Sequence, residues 1–178
     1  MNLKIKKFIE DNKELIKNNK WEEIYKEANY SWDFMEEIGD FTSILLNADI
    51  NPLEYIDYIP ERFLNYQKIT SFKIPNHIRN IGDYAFCYCR HLTSIAIPNS
   101  VTSIGGGAFY NCSNLESITI PDKVTRIDDD AFSWCISLTS IIFNGTKEQW
   151  QAISTGRYWN YSVPPTCKIH CTDGDLKI

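Results

Sequence analysis

The chain has 178 residues, of which 43% are hydrophobic and 23% charged, a composition typical of a soluble globular protein. Its formal net charge of −5 provides no basic surface for phosphates, which argues against nucleic-acid binding. No stretch reaches the ~18 apolar residues of a membrane helix, which argues against a membrane protein.

The N-terminal segment MNLKIKKFIEDNKELIKNNK lacks an apolar run of the length that a signal peptide needs. We therefore expect a cytoplasmic protein whose six cysteines stay reduced. Acidic residues are concentrated near this end. Residues 1–65 contain 8 Lys and Arg against 14 Asp and Glu, a charge of −6, whereas residues 66–178 contain 10 against 9, a charge of +1, and the two sum to −5.

Residues 1–65 show helical periodicity and no repeat. Apolar side chains recur at helical spacing in residues 5–16, 21–28 and 34–45, which predicts three helices. The later segment NPLEY has the start signal of another helix, with Asn51 as N-cap and Pro52 at the first helical position. A short turn then begins at Pro60. We expect an acidic helical domain that caps the residues following it.

From Ile69 onward the sequence repeats every 23 residues. The units ITSFKIPNHIRNIGDYAFCYCRH, LTSIAIPNSVTSIGGGAFYNCSN and LESITIPDKVTRIDDDAFSWCIS begin at Ile69, Leu92 and Leu115, and a partial unit, LTSIIFNGTKEQW, begins at Leu138. They share Leu-x-x-Ile-x-Ile-Pro, then Val-x-x-Ile, then Ala-Phe and Cys. This period lies within the ~20–29 residues of leucine-rich repeats, whose strand signature is Leu-x-x-Leu-x-Leu.

The start of each unit has the pattern of a short strand with one buried face. Ile95 and Ile97 alternate with Ser94 and Ala96, and Pro98 follows at once. Because proline lacks an N–H group, it ends the strand pairing.

The rest of each unit predicts two more inward-facing sides. Val101 and Ile104 supply the second side, and Ala108 with Phe109 the third, after which Cys112 closes the unit as a small buried hydrophobe. One unit cannot bury these residues alone, but units stacked at the ~4.8 Å strand spacing can. The repeat therefore predicts a β-solenoid.

The units resemble BspA-type leucine-rich repeats, a bacterial and protozoan class built from IPxSVTSIGxxAFxxC units. The resemblance covers roughly Ile69 to the C-terminus. Within it, FNGTKEQWQAI and YWNYSVPPTCKIHCTDGD look like the C-terminal cap of that family, and Trp150, Ile153 and Trp159 are suited to cover the last coil. The resemblance implies a role in adhesion or protein interaction.

Together these features predict an α+β protein. A short leucine-rich-repeat β-solenoid of three to four 23-residue coils occupies residues 66–143, between the acidic helical N-terminal cap domain, 1–65, and a C-terminal capping segment, 144–178. The segment DINPLEYIDYIP resembles the helical prefix of short, unsecreted repeat proteins carried by phages and other mobile elements.

Three patterns invite a chemical interpretation. Cys89, Cys112 and Cys135 fall in register and could hold metal, but a straight column does not provide the tetrahedral geometry of zinc, so we predict a buried core column. The triplet Gly105–Gly107 lacks the Lys-Ser/Thr of a phosphate-binding loop. Asp128–Asp130 occupy the same slots one unit later, without the alternating spacing of a calcium loop, which indicates a solvated turn.

A thiol catalyst is also excluded by spacing. Cys87 and Cys89 form Cys-x-Cys and not the redox motif Cys-x-x-Cys. His170 and Cys171 are adjacent in a predicted strand, where neighbouring side chains point to opposite faces. We therefore predict no catalytic residue, no metal and no cofactor.

Binding residues are sought on the surface. Tyr88, Tyr110 and Trp134 follow the Ala-Phe pair and either form an aromatic row along one edge or pack between coils, and the sequence leaves both open. Arg79 and Arg126, from the Val-x-x-Ile segments, add charge on a neighbouring side. Lys73 projects from the strand face, whose other outward residues are small: Ser71, Ser94, Ala96, Ser117, Thr119 and Ser140, with Ile142 at the end.

We expect a non-enzymatic intracellular module that binds a host protein, without direct contact to nucleic acid or membrane. An alternative follows from the mobile-element resemblance: a phage-encoded inhibitor of a host defence enzyme, such as an anti-CRISPR protein, whose acidic N-terminal domain faces a basic nucleic-acid channel. A metal-binding or enzymatic protein is a third possibility, based only on the cysteine column and Asp128–Asp130.

Overall fold

The strands within residues 57–178 form two sheets that follow the period of the repeat. The structure is a computed structural model that describes residues 57–178. In chain order its elements are β1 (Tyr58–Ile59), β2 (Asn80–Ile81), β3 (Ser94–Ala96), β4 (Ser103–Ile104), β5 (Ser117–Ile120), β6 (Arg126–Ile127), β7 (Ser140–Phe143), α1 (Lys147–Gln151), β8 (Ser154–Thr155), β9 (Lys168–Cys171) and β10 (Gly174–Lys177). The short-strand sheet has the order β1-β2-β4-β6-β8, and the long-strand sheet has the order β10-β9-β7-β5-β3.

The repeat that begins at Ile69 contributes only β2, each later repeat contributes one strand to each sheet, and consecutive repeats pair in parallel. In the long-strand sheet Ile95 lies beside Ile118, and Ile118 beside Ile141, whereas in the short-strand sheet Ile81 lies beside Ile104. All of these isoleucines are buried. The offset in every one of these pairs is one repeat of 23 residues, which confirms the leucine-rich-repeat β-solenoid.

A ladder of phenylalanines fills the centre of the solenoid. The rings of Phe86 and Phe109 stack with centroids 5.1 Å apart and planes 2° apart, and those of Phe109 and Phe132 with values of 5.3 Å and 3°. All three side chains are fully buried. Such ring pairs stabilise by about 0.5–1.5 kcal/mol beyond the burial of their area. The Ala-Phe pair of the sequence is thus the inward-facing third side, as predicted.

The solenoid begins before the first complete sequence repeat. Residues 57–65, which the sequence analysis assigned to the helical domain, contain β1, whose Ile59 pairs with Ile81 of β2. Phe63 and Leu64 are buried, and the Leu64 N–H group donates to the carbonyl of Ala85 at 2.7 Å. The helical domain predicted for the rest of the prefix lies outside the described residues.

The C-terminal segment adds another coil and then covers it. Helix α1 begins at a capping box in which Thr146 and Gln149 exchange hydrogen bonds. It places Trp150 edge-on against Phe143, with centroids 5.2 Å apart. Strand β8 continues the short-strand sheet after this insertion.

Two further features complete the cap. Ile153 is buried behind α1, and the half-buried ring of Trp159 lies edge-on to Phe132 at 6.1 Å. The antiparallel hairpin β9–β10 then ends the long-strand sheet. The predicted covering role of Trp150, Ile153 and Trp159 agrees with this packing.

Candidate protein-binding surface

The third side of the solenoid, which we call the turn side, carries the predicted aromatic residues. Alternate N–H groups of each coil donate to carbonyls of the next coil there, as the Tyr88 N–H group does to the Tyr110 carbonyl at 2.7 Å. The turn side consists of residues 61–66, 83–88, 106–111, 129–134 and 157–162. A continuous backbone ladder therefore holds these turns at coil spacing.

Two positions in each turn adopt a left-handed backbone. In one coil they are Tyr84 and Tyr88, with φ of 56° and 59°, and two coils later they are Asp130 and Trp134, with φ of 57° and 63°. This conformation is unfavourable for residues other than glycine, by about 1–2 kcal/mol each, and the surrounding hydrogen bonds hold it in place. The backbone thereby directs these side chains away from the core, and 43% of Trp134 is exposed.

The predicted aromatic residues do not all share one register position. Because the Asn111 N–H group donates to the Ser133 carbonyl, Asn111 takes the position that Tyr88 and Trp134 have in their coils. Tyr110 occupies the preceding position, where Ser133 is fully buried. The larger Tyr110 side chain stays half-exposed and lies beside Tyr88.

Three tyrosines form a first aromatic cluster: Tyr66, Tyr88 and Tyr110. The rings of Tyr66 and Tyr88 stack with centroids 4.5 Å apart and planes 8° apart, and Tyr88 meets Tyr110 at 5.7 Å. The guanidinium carbon of Arg90 lies 5.1 Å from the centroid of the Tyr88 ring, a cation–π arrangement. Burial, followed by the neighbouring Tyr88, raises the pKa of Tyr66 to about 12. Tyr66 is therefore uncharged at neutral pH.

Trp134 belongs to a second aromatic cluster, with Tyr158 and Tyr161. Its ring meets that of Tyr161 edge-on at 5.7 Å, and Tyr161 meets Tyr158 at 6.1 Å. The exposed fractions are 43% for Trp134, 68% for Tyr158 and 52% for Tyr161. The predicted row is thus replaced by two clusters on the turn side, with Asn111 at the register position between them.

Tyr66, Tyr158 and Tyr161 were not predicted from the 23-residue repeat. A signal existed for Tyr66, since PERFLNYQ (60–67) follows the pattern of GDYAFCYC (82–89) from the next coil. Tyr158 and Tyr161 follow the α1 insertion, which lengthens the offset between paired residues from 23 to 28, as between Ile127 and Thr155.

The three predicted cations lie on other sides. Arg126 in β6 forms an ion pair with Asp128 at 2.6 Å, and Arg79, just before β2, lies 3.7 Å from Asp57. Lys73 is exposed one repeat before Ala96, on the long-strand side. The structure therefore does not bring Arg79, Arg126 or Lys73 together with the aromatic clusters.

The cysteine column has a structural role. Cys89, Cys112 and Cys135 are fully buried, and their thiols donate to carbonyls of the preceding coil: Leu64 at 3.0 Å, Phe86 at 3.1 Å and Phe109 at 3.1 Å, respectively. Burial raises the pKa of Cys89 and of Cys135 to about 12 and that of Cys112 well above its usual value. Within residues 57–178, no group of three or more His, Cys, Asp or Glu side chains is arranged to hold a metal ion.

The glycine and aspartate triplets serve coil packing. A Cβ atom on Gly107, whose φ is +57°, would lie 2.5 Å from Cε1 of Tyr84. In the next coil all three carboxylates already have partners: Asp128 binds Arg126, Asp129 accepts the Arg157 N–H group at 2.6 Å, and Asp130 accepts the Ser133 hydroxyl at 2.7 Å.

The His170 side chain faces Asp175. Nδ1 of His170 lies 2.9 Å from the Asp175 carboxylate, and this hydrogen bond lowers the pKa of Asp175. Burial raises the pKa of the adjacent Cys171, so this thiol stays protonated at neutral pH. Since only the thiolate is an effective nucleophile, the pair is unsuited to covalent catalysis.

Comparison with known proteins identifies the repeat. Residues 57–161 match the family described as BspA type leucine rich repeat region (6 copies). The chain belongs to this family. Leucine-rich-repeat proteins commonly bind proteins, and their fold is typically a non-enzymatic scaffold. No helix in the described part of the chain is long and apolar enough to cross a membrane.

Two solved structures are similar to this chain. A leucine-rich repeat protein of T. pallidum is 26% identical over 61% of this chain and 50% of that chain, with a TM-score of 0.50. A leucine-rich cell surface protein of Faecalibacterium prausnitzii A2-165 is 31% identical over 49% of this chain and 35% of that chain, with a TM-score of 0.27, too low to compare the folds. The chain therefore spans half the length of the first protein and 35% of the second. A search of curated protein sequences gave no match.

Proposed function

We propose that the protein is a non-enzymatic binding module whose turn side contacts a protein partner through the two aromatic clusters. The observation that carries this proposal is the exposure of preordered rings, above all Trp134, Tyr158 and Tyr161. Aromatic residues are enriched among the residues that dominate binding energy at interfaces. Their mutual edge-on contacts limit their rotamers before binding, which reduces the entropy lost on association.

The other two sides offer less to a partner. The long-strand sheet presents serines at Ser94, Ser117 and Ser140, which bury little area, and an aliphatic side chain of Trp134-like exposure, Ile142 at 43%, in β7. On the short-strand side Arg79 and Arg126 already have carboxylate partners. Arg90, by contrast, forms no ion pair within residues 57–178 and lies over Tyr88, where it can meet an acidic group of the partner.

The test compares two exposed aromatic residues on different sides. The partner is first captured from host lysate with the tagged full chain and identified by mass spectrometry. We expect Trp134→Ala to weaken its affinity at least tenfold, about 1.4 kcal/mol. Tyr58→Ala, on the short-strand side with a matched exposure of 41% against 43%, leaves the affinity unchanged.

Circular dichroism must show that both variants are folded, because Trp134 also contacts Tyr161. Ser94→Arg places a large charged side chain on the long-strand sheet and tests whether that sheet is the binding surface instead. If Ser94→Arg abolishes binding and Trp134→Ala leaves it intact, the partner binds the long-strand sheet and the assignment to the turn side is wrong.

The partner is proposed to be intracellular and the protein cytoplasmic. The column thiols support this, since each of Cys89, Cys112 and Cys135 donates a hydrogen bond that requires the reduced form. A reducing compartment preserves that form. Cell fractionation with an antibody to the full chain tests the compartment.

A second candidate function is inhibition of a host defence nuclease, such as an anti-CRISPR activity. It is supported by the charge of residues 1–65, 8 basic against 14 acidic, or −6, which complements a basic nucleic-acid channel. The test is DNA cleavage by a CRISPR effector nuclease of the host with and without the full chain. Inhibition that disappears when acidic residues of 1–56 are changed to amides supports this function, and undiminished cleavage excludes it.

A further inference from the structure

Among the strands of residues 57–178, β10 is the outermost on one edge of the long-strand sheet. It pairs with β9 in antiparallel register, with Gly174 beside Cys171 and Lys177 beside Lys168. The two residues that flank a two-residue turn form backbone hydrogen bonds with each other. Along an antiparallel strand, the N–H and C=O groups of successive residues point alternately towards the strand on one side and towards the other side. Gly174 and Leu176 thus bond towards β9, whereas Asp175 and Lys177 present their N–H and C=O groups outward.

The two charged side chains of β10, Asp175 and Lys177, differ in whether they have a partner of opposite charge. The Asp175 carboxylate lies 2.9 Å from Nδ1 of His170 and 3.5 Å from Nζ of Lys168. Lys177 stands opposite the like-charged Lys168, and within residues 57–178 it has no acidic partner. Like charges directly opposite each other destabilise a strand pair. The edge therefore carries an unneutralised cation two residues from a carboxylate.

A second copy of the same strand satisfies both the backbone and the charges. We propose that the protein forms a two-fold symmetric dimer through antiparallel pairing of β10 with β10 of a second copy, centred on Leu176. In this register Asp175 of each copy faces Lys177 of the other, because the two residues are equally far from the two-fold axis at Leu176. The dimer therefore contains two such ion pairs. The outward N–H and C=O groups of Asp175 and Lys177 then bond to each other across the axis, and the two Leu176 residues meet at the non-bonded position.

The same register explains why self-association is specific. Edge strands are commonly protected by charges that repel a second strand. Here the alternating Asp175 and Lys177 repel a parallel copy in register but complement an antiparallel one. Two paired four-residue strands bury far less surface than the ~1,600 Å² of a standard interface, so the dimer is weak. Its population therefore depends on protein concentration and on salt.

The test uses charge reversal in the full chain and analytical ultracentrifugation. We expect the wild-type protein to shift from monomer towards dimer as its concentration rises, less so at high salt. Lys177→Glu places acidic groups opposite Asp175 of the other copy, and Asp175→Lys places basic groups opposite Lys177. Each variant alone is expected to weaken self-association at least tenfold.

Mixing the two variants decides between edge pairing and a general effect of charge. Each Lys177→Glu chain has two acidic positions and each Asp175→Lys chain two basic ones, so the mixture forms a heterodimer. Lys123→Glu, an exposed residue between β5 and β6, makes the same charge change and leaves the wild-type dimer intact. A wild-type protein that stays monomeric at all concentrations, or a mixture no more associated than its components, overturns the proposal.

Discussion

Tyr66 lies face to face with Tyr88 of the next coil, with ring centroids 4.5 Å apart and planes 8° apart. The centroid distance is close to the ~4.8 Å spacing of the strands, so the stack continues the regular translation from coil to coil. It joins the turn at residues 61–66, whose coil lacks a complete sequence repeat, to the turn at residues 83–88, whose coil has one. Tyr66 is 38% exposed and thus belongs both to the fold and to the proposed binding surface.

The first prediction concerns this pair. Tyr66→Ala removes one face of the stack and leaves Tyr88 free to change rotamer, so we expect about tenfold weaker binding of the captured partner. Tyr66→Phe keeps the ring and is expected to bind like the wild type. Calorimetric titration with the purified partner distinguishes them, and equal affinities for Tyr66→Ala and the wild type would remove the first aromatic cluster from the binding surface.

The second prediction concerns the glycine triplet. Gly107→Ala forces a Cβ atom onto a left-handed backbone and to 2.5 Å from the Tyr84 ring, and we expect it to lower the free energy of unfolding by about 1–2 kcal/mol. Gly106→Ala is the matched control, because its Cβ atom would have no neighbour closer than 3.4 Å. Urea unfolding measures the free energy of unfolding of both variants. Equal values for the two would mean that the turn side does not have the left-handed backbone described at Gly107.

The third prediction follows the ionisation of a buried thiol. The Cys135 pKa is raised by burial from 9.0 to about 12 in the folded protein. Above pH 9.0 the unfolded chain releases this proton while the folded one keeps it, so the stability contributed by the thiol falls as the pH rises from 9.0 towards 12. The fall becomes steeper above the unfolded pKa and amounts to about 1 kcal/mol over the first pH unit.

Cys135→Ala isolates this contribution from other groups that titrate at alkaline pH. At neutral pH the substitution is expected to cost about 1–2 kcal/mol through the cavity and the lost hydrogen bond to the Phe109 carbonyl. Between pH 9 and 10 the difference in unfolding free energy between variant and wild type should shrink by about 1 kcal/mol. Denaturant unfolding at several pH values measures it, and a constant difference means that the folded thiol ionises normally.

The fourth prediction concerns the start of the solenoid. A chain from residue 66 lacks Ile59, Phe63 and Leu64, which are buried against the following coil, whereas a chain from residue 57 retains them. Burial of such a side chain contributes about 1.5–3 kcal/mol. We expect the shorter chain to be less stable by at least about 4 kcal/mol or to aggregate. Equal urea midpoints for the two chains would mean that residues 57–65 are not part of the core.

The strand faces and the core could be predicted from the sequence because one periodicity encodes both. Ile95 and Ile118 recur at 23 residues, and parallel pairing at constant register follows from that number. The inward-facing side that carries Phe109 could be predicted in the same way, since a residue type that recurs in every repeat has an identical residue to pack against in the neighbouring coils. For this part of the molecule, local pattern and tertiary contact give the same information.

The aromatic surface could be predicted only in part, since it depends on departures from the repeat. Tyr66 belongs to a coil without the Leu-x-x-Ile strand, and Tyr161 follows an inserted helix, so neither aligns at 23 residues. Tyr110 is larger than the buried Cys87 and Ser133 that share its position, and its ring therefore turns towards Tyr88. Such side-chain displacements depend on volume and neighbours, which a sequence alignment of the repeats does not represent.

The ladder on the turn side also determines how the protein can change in length. Within residues 57–178 the turn-side backbone hydrogen bonds join each coil to its neighbours, as Phe86 bonds to Ala108 and Phe109 to Ala131. Duplication of a unit such as residues 92–114 would restore every one of these bonds, so unequal recombination between repeats yields folded chains. Every added coil moves Trp134 about 4.8 Å farther from Tyr88. The number of coils thus determines the distance between the two aromatic clusters, and adding or removing a coil changes this distance without altering any residue of either cluster.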